Sequence, residues 1–74
     1  MNKEQIINYV NKRYTEINEM HNSGKYEKNS IIDEIEMFIY IFFDKNWDTL
    51  IKVIEEEKLL KIRKDMEAIM IYLD

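Results

Sequence analysis

The sequence predicts an all-α fold, a small bundle of three or four helices around a central apolar helix. Three observations support this prediction. Apolar residues recur at intervals of three and four along much of the chain, which is the spacing of one helical face. Pro is absent and Gly occurs once, so folds that need many tight turns are disfavoured. A chain of 74 residues suits one domain, which we place at residues 1–74.

The first helix is expected at about residues 3–22, with ends uncertain by ~2–4 residues. Asn2 is a candidate N-cap, and Gln5 follows three residues later, as in a capping box. Gly24 suits the left-handed position just beyond a helix end. The apolar stripe of this helix comprises Ile6, Val10, Tyr14, Ile17 and Met20.

The second helix is the most apolar part of the chain. Ser30 is a candidate N-cap for it, with Asp33 at the third helical position, where a negative charge favours the helix dipole. Apolar residues surround most of the circumference, which is typical of a central buried helix or of an interface. Residues 37–43 are also rich in β-formers, so a strand remains an alternative there.

The C-terminal half contains two apolar stripes that are out of phase. Asn46 is a candidate cap for the first stripe, which starts at Trp47. Glu57 and Lys58 occupy the positions at which that stripe would continue, so we predict a kink or break near residues 55–58. This half is therefore one bent helix or two shorter ones, and residues 68–73 are apolar enough for a helix or a strand.

The residue types exclude most enzymatic and metal chemistry. Cys is absent, which removes disulfides and thiolate metal sites, and His21 is the only imidazole. Nucleophilic catalysis needs a general base, and we expect His21 to be a surface residue near a helix end. One glycine does not build a phosphate-binding loop. The sequence therefore predicts no enzyme, metal site or cofactor.

The first residues are polar and the longest apolar run, residues 37–43, is far shorter than a membrane span. We therefore expect a cytoplasmic protein.

The negative charge is concentrated in the middle of the chain. The acidic middle segment, residues 31–57, holds eight carboxylates and two lysines, a net charge of −6, whereas the segments before and after it are each +1. Such a segment repels nucleic acid and attracts basic surfaces, although acidic residues also serve solubility. Lys58, Lys61, Arg63 and Lys64 form a basic cluster near the C-terminus, but Asp65 and Glu67 follow it, so direct DNA binding is not expected.

Five aromatic residues fall within ten positions of the acidic middle segment. Aromatic side chains are favoured anchors of protein interfaces. Phe38, Phe42 and Trp47 fit a core stripe, whereas Tyr40 and Phe43 do not share it and are the better interface candidates. The predicted partner-binding residues are Asp33, Glu34, Glu36, Tyr40, Phe43, Asp44, Asp48, Glu55, Glu56 and Glu57.

The short, Cys-free, acidic and Ile-, Lys- and Asn-rich chain resembles the small early proteins with which phages of low-GC Gram-positive bacteria take over host machinery. Among these it is most similar to staphylococcal phage inhibitors of the bacterial DNA-polymerase sliding clamp. The resemblance implies an inhibitor, located in the host cytoplasm, that occupies the basic channel of the clamp and blocks access of DNA. The acidic middle segment would then face the channel and imitate DNA charge.

The sequence departs from usual clamp ligands, because Gln5, the only Gln, is not followed by the Leu and Phe of a clamp-pocket peptide. Binding by charge in the channel is the form of the hypothesis that remains. Two alternatives stay open. One is a structural homo-oligomer, such as a homodimer, or an adaptor, motivated by the apolar residues Ile69, Ile71 and Leu73. The other is an antitoxin-like regulator.

Overall fold

A computed structural model describes all residues from Met1 to Asp74. The chain is helical throughout, without strands, and the helices pack around one hydrophobic cluster, so the predicted all-α bundle is confirmed. The elements are α1 (Lys3–Ser23), α2 (Lys28–Glu36), a π-helical segment (Met37–Phe43), α3 (Trp47–Val53) and α4 (Glu56–Leu73).

Both ends of α1 form as the sequence predicts. The Asn2 side chain accepts a hydrogen bond from the Gln5 backbone N–H, and the Gln5 side chain accepts one from the Asn2 N–H, both at 2.9 Å. This reciprocal capping box pairs two amides that the helix itself leaves free. Gly24 ends the helix with φ 69°, a left-handed conformation that suits a residue without a Cβ.

The second helix begins earlier than predicted. Glu27 is the N-cap, without a side-chain hydrogen bond, so the expected Ser30 cap is wrong. The Ser30 amide already donates to the Glu27 carbonyl at 3.1 Å, which places Ser30 inside the first turn. A cap contributes only about 1 kcal/mol, so the added backbone hydrogen bonds of an earlier start can outweigh it.

Residues 37–43 are helical, and the strand alternative is therefore wrong. They form a wider helix than the flanking turns, as the Asp44 N–H shows by donating to the carbonyl of Ile39, five residues earlier. A π-helix of this kind is rare and tends to occur at functional sites. The polar groups of the backbone stay paired along this apolar stretch, which an isolated buried strand would not achieve.

The predicted break in the C-terminal half is confirmed. Ile54 is extended, with φ −131° and ψ 139°, and α4 starts at Glu56. Asn46 does precede α3, but its side chain donates backwards to the Phe42 carbonyl at 2.7 Å rather than capping α3. Residues 68–73 belong to α4, which settles the other helix-or-strand alternative as helix.

The core contains fourteen apolar residues from all five elements. Two polar links tie the helices together at its edge. The Arg13 guanidinium of α1 pairs with Glu34 of α2, and the Tyr14 hydroxyl of α1 donates to Asp65 of α4 at 2.7 Å. The second helix packs against both α1 and α4, as expected of a central helix. None of the helices combines the length and the apolarity that a bilayer span requires.

Candidate protein-binding surface

Three large apolar side chains of the π-helical segment point to solvent. Met37 and Ile41 are each 56 % exposed and Tyr40 is 43 % exposed. We call these three residues the apolar ridge. Exposed apolar side chains that cluster in this way commonly mark an interaction site, whereas isolated ones are normal on any protein surface.

Unpaired carboxylates precede the apolar ridge on the same helix. Asp33 and Glu36 are exposed and form no ion pair. Glu36 directly precedes Met37, and Asp33 lies one turn before Met37. The ridge therefore combines apolar contact area with negative charge, the two features that would match an apolar and basic surface on another protein.

Two of the predicted carboxylates already have cationic partners. Glu34 is half-buried and pairs with Arg13, which also contacts Glu16 at 3.3 Å. Asp44 pairs with Arg63 of α4, and this hydrogen bond is the main reason why the pKa of Arg63 is raised. Both carboxylates stabilise helix contacts, so they contribute less to the external charge than their number suggests.

Phe43 is fully buried, and its assignment to the binding surface is wrong. The assignment assumed an α-helical register, in which Phe43 would point away from Phe38. In the π-helical segment, residues five apart lie on nearly the same side, because the hydrogen bonds connect residues five apart. The two rings consequently meet edge to face, with centroids 5.8 Å apart. Phe38 is buried as expected, and Phe42 and Trp47 are only partly buried against the core.

Tyr40 is exposed, as its assignment to the binding surface requires, and it has a cationic neighbour. The guanidinium carbon of Arg63 lies 5.9 Å from the centre of the Tyr40 ring. Arg63 also contacts Asp44 and lies 3.7 Å from Glu67, so one arginine joins the ridge to α4. This position shows that the edge of the ridge accommodates a guanidinium.

The remaining predicted carboxylates lie elsewhere. Asp48 is exposed in the first turn of α3, and Glu55, Glu56 and Glu57 surround the start of α4. All four lack an ion pair. Glu56 and Glu57 are favourably placed beside the N-terminal helix dipole, a structural role that needs no partner. The acidic middle segment is therefore divided between the ridge and the junction of α3 with α4.

His21 is half-buried at the end of α1, with its ring edge to face against Tyr72 at 5.5 Å. No group of three or more carboxylate or imidazole side chains is placed to hold a metal ion. Two of the surface grooves include the ion-paired residues Arg13 and Glu34, and one of these two also includes Met37 and Ile41 of the ridge.

Sequence reasoning missed two residues of this surface. Arg63 was grouped with a basic cluster on α4, because no local pattern shows that it reaches across to Tyr40. Phe42 fits the core stripe by its spacing, but it is half-buried and its ring packs at a tilt against Tyr9 of α1, with centroids 4.6 Å apart. The sequence carries no signal for this position of Phe42, because every residue from 37 to 43 is apolar and the step from Phe38 to Phe42 is an ordinary interval of four.

Nothing matches this chain in comparisons with models of protein families, with curated proteins and with solved structures.

Proposed function

We propose that this protein is a non-enzymatic binding protein whose apolar ridge and flanking carboxylates dock onto a basic surface of another protein. The observation that carries the proposal is the exposure of Met37, Tyr40 and Ile41 next to the unpaired carboxylates of Asp33 and Glu36. The aromatic and aliphatic side chains would supply contact area, and the carboxylates would select a basic partner and speed association.

The specific form of this proposal is a phage-type inhibitor acting in the host cytoplasm. Its partner would be the bacterial DNA-polymerase sliding clamp, whose basic DNA channel it would block. The support is the resemblance in length, composition and charge, together with the six unpaired carboxylates of the acidic middle segment. Direct binding to nucleic acid is not part of the proposal, because these carboxylates would repel phosphates.

The first test is a binding titration with a purified sliding clamp of a low-GC Gram-positive bacterium, at low and at high salt. We expect binding that weakens as salt rises, because charges are screened beyond ~10 Å at 0.1 M ionic strength. An affinity pull-down from the lysate of such a bacterium runs beside it. If the titration shows no clamp binding and the pull-down recovers another basic protein, the clamp is not the partner. The proposed binding to a basic surface would then apply to the recovered protein.

Matched charge variants locate the contact. The double variant Asp33→Asn, Glu36→Gln and the triple variant Glu55→Gln, Glu56→Gln, Glu57→Gln separate the ridge from the α3–α4 junction. A control variant, Glu4→Gln with Glu19→Gln, removes two exposed and unpaired carboxylates from α1. The proposal requires a larger loss of affinity for the ridge variant than for this control, and equal losses would contradict it.

A second candidate function is a structural homodimer or adaptor formed through α4. Ile71 and Tyr72 are 76 % and 77 % exposed, and Leu60 is exposed about three turns earlier on the same helix. Of the residues that motivated this alternative, Ile69 is buried in the core and Leu73 is half-buried, so only Ile71 is free to contact another copy. Sedimentation over a wide concentration range tests for self-association, with Ile71→Ser as the comparison. A chain that stays monomeric at every concentration would contradict this second function.

A further inference from the structure

The π-helical segment interrupts an otherwise regular apolar pattern. Along α2, the π-helical segment and α3, the inward side chains are separated by intervals of four, three, five, four and three. Intervals of three and four keep side chains on one face of an α-helix, whereas a single interval of five does not. The interval of five falls inside the π-helical segment. The residues that define these intervals are Ile31, Ile35, Phe38, Phe43, Trp47 and Leu50.

Removing one residue between Phe38 and Phe43 would leave only intervals of three and four along the series, the spacing of one α-helical face. The extra residue is therefore Tyr40, Ile41 or Phe42, because Ile39 is itself fully buried. If Tyr40 or Ile41 were removed instead, Phe42 would take the position that Ile41 now holds, which is exposed to solvent. Removal of any of the three brings Phe43 to an interval of three from Ile39. Only removal of Phe42 leaves both exposed residues, Tyr40 and Ile41, at their present positions after Ile39.

The contacts of Phe42 agree with this assignment. Its ring lies outside the fully buried core and packs against Tyr9, with centroids 4.6 Å apart and ring planes tilted by 55°. Met37 and Ile41 lie beside it in a groove between α1 and the central helix. Its carbonyl accepts two hydrogen bonds from Asn46, from the backbone N–H at 3.1 Å and from the side-chain amide at 2.7 Å. The carbonyl of Phe42 is thus fully paired.

We infer that Phe42 is a one-residue insertion in a regular α-helix, and that it adds an aromatic contact residue to the apolar ridge without altering the core. The insertion is inferred from the structure alone, whereas the role of Phe42 as a contact residue rests on the proposed function. The insertion joins Tyr9 and Phe42 to Met37, Tyr40 and Ile41, so that the apolar surface extends from the central helix onto α1. The partner would place an apolar side chain against this extension.

The test is deletion of Phe42. We expect the shortened chain to fold, with a midpoint of urea unfolding equal to or higher than that of the parent, because a strained turn is replaced by regular α-helix. Amide contacts across 37–43 in NMR spectra should change from a five-residue to a four-residue spacing. Deletion of Lys64, an exposed residue in the regular helix α4, is the control and should unfold the chain by rotating half of α4 out of register.

Clamp binding measured on the same variants decides the contact role. A folded deletion variant with at least tenfold weaker binding, matched by a similar loss in Phe42→Ala, would support it. A folded variant that binds as well as the parent would overturn the contact role and leave both the insertion and the proposed function intact. A deletion variant that does not fold would contradict the inference that Phe42 is an insertion. A parent chain that does not bind would instead contradict the proposed function together with the contact role, while the folding result still decides the insertion.

Discussion

The guanidinium of Arg63 lies over the ring of Tyr40, 5.9 Å from its centre, while the same group pairs with Asp44. A residue of α4 thereby neutralises one carboxylate and covers one aromatic ring at the proposed binding surface. A cationic side chain of a basic partner would meet this arginine as a like charge. The internal arginine therefore opposes the binding that the surrounding carboxylates favour.

We expect Arg63→Gln to destabilise the fold by up to about 1 kcal/mol and to strengthen binding of a basic partner. Removal of one positive charge near the contact is worth about two- to fivefold in affinity at low salt, and less at high salt. Urea unfolding and titration calorimetry measure the two effects. Lys64→Gln makes the same charge change at an exposed residue without an ion pair. Weaker binding by Arg63→Gln would show that Arg63 is itself a contact residue.

Phe43→Ala should be among the most destabilising substitutions in the chain. Phe43 is fully buried and its ring contacts Phe38 and Trp47, so truncation leaves a cavity at a cost of about 3–5 kcal/mol. Tyr40→Ala, at an exposed position in the same segment, should cost no more than about 1 kcal/mol. Chemical denaturation of the two variants compares them directly. Similar losses of unfolding free energy would contradict the register described for the π-helical segment.

The link between α1 and α4 should make stability depend on pH. The hydrogen bonds that Asp65 accepts from Lys61 and Tyr14 lower its pKa, so the carboxylate stabilises the fold above the ordinary carboxyl pKa. This contribution is lost as the pH falls through the lowered pKa of the folded state. Asp65→Asn should therefore cost about 1 kcal/mol at neutral pH, and its difference from the parent should vanish in acid. Unfolding curves recorded from neutral to acidic pH test this, with Asp33→Asn as an unpaired control.

The hydrogen bond between Tyr14 and Asp65 should also make the stability of the fold decrease at high pH. The hydrogen bond to Asp65 is the main reason why the pKa of Tyr14 is raised, so the folded state favours the protonated phenol. This contribution is present below the ordinary tyrosine pKa and is lost as the pH rises through the raised value. Tyr14→Phe should remove it at every pH, at a cost of about 1 kcal/mol near neutrality. A parent and a Tyr14→Phe chain that lose stability equally between neutral and strongly basic pH would contradict this account.

Gly24→Ala should destabilise the chain through its backbone alone. A Cβ at this position meets no atom within 4 Å, so the cost is that of holding alanine at φ 69°, about 1–2 kcal/mol. Gly24→Asn should cost less, because asparagine tolerates the left-handed conformation better. Thermal unfolding of both variants measures the difference. An alanine variant as stable as the parent would mean that α1 can end differently.

The sequence by itself determined the features that depend on neighbouring residues. The capping box of Asn2 and Gln5, the left-handed Gly24 and the break before α4 each follow from a short stretch of chain, because capping and turn formation are local events. The all-α bundle followed in the same way from the spacing of apolar residues. The concentration of charge in the acidic middle segment is likewise a property of the sequence.

The tertiary structure alone decided which carboxylates are free and which aromatic rings are exposed. Glu34 and Asp44 find their partners in Arg13 and Arg63, which lie 21 and 19 residues away, and no local pattern specifies such pairs. Phe43 lies in the core against Phe38, and Phe42 lies at its edge against Tyr9 of α1, because the helical turn between them is wider than that of an α-helix. The spacing of apolar residues in the sequence does not show which of these rings faces the core. The binding surface could therefore be predicted only in part.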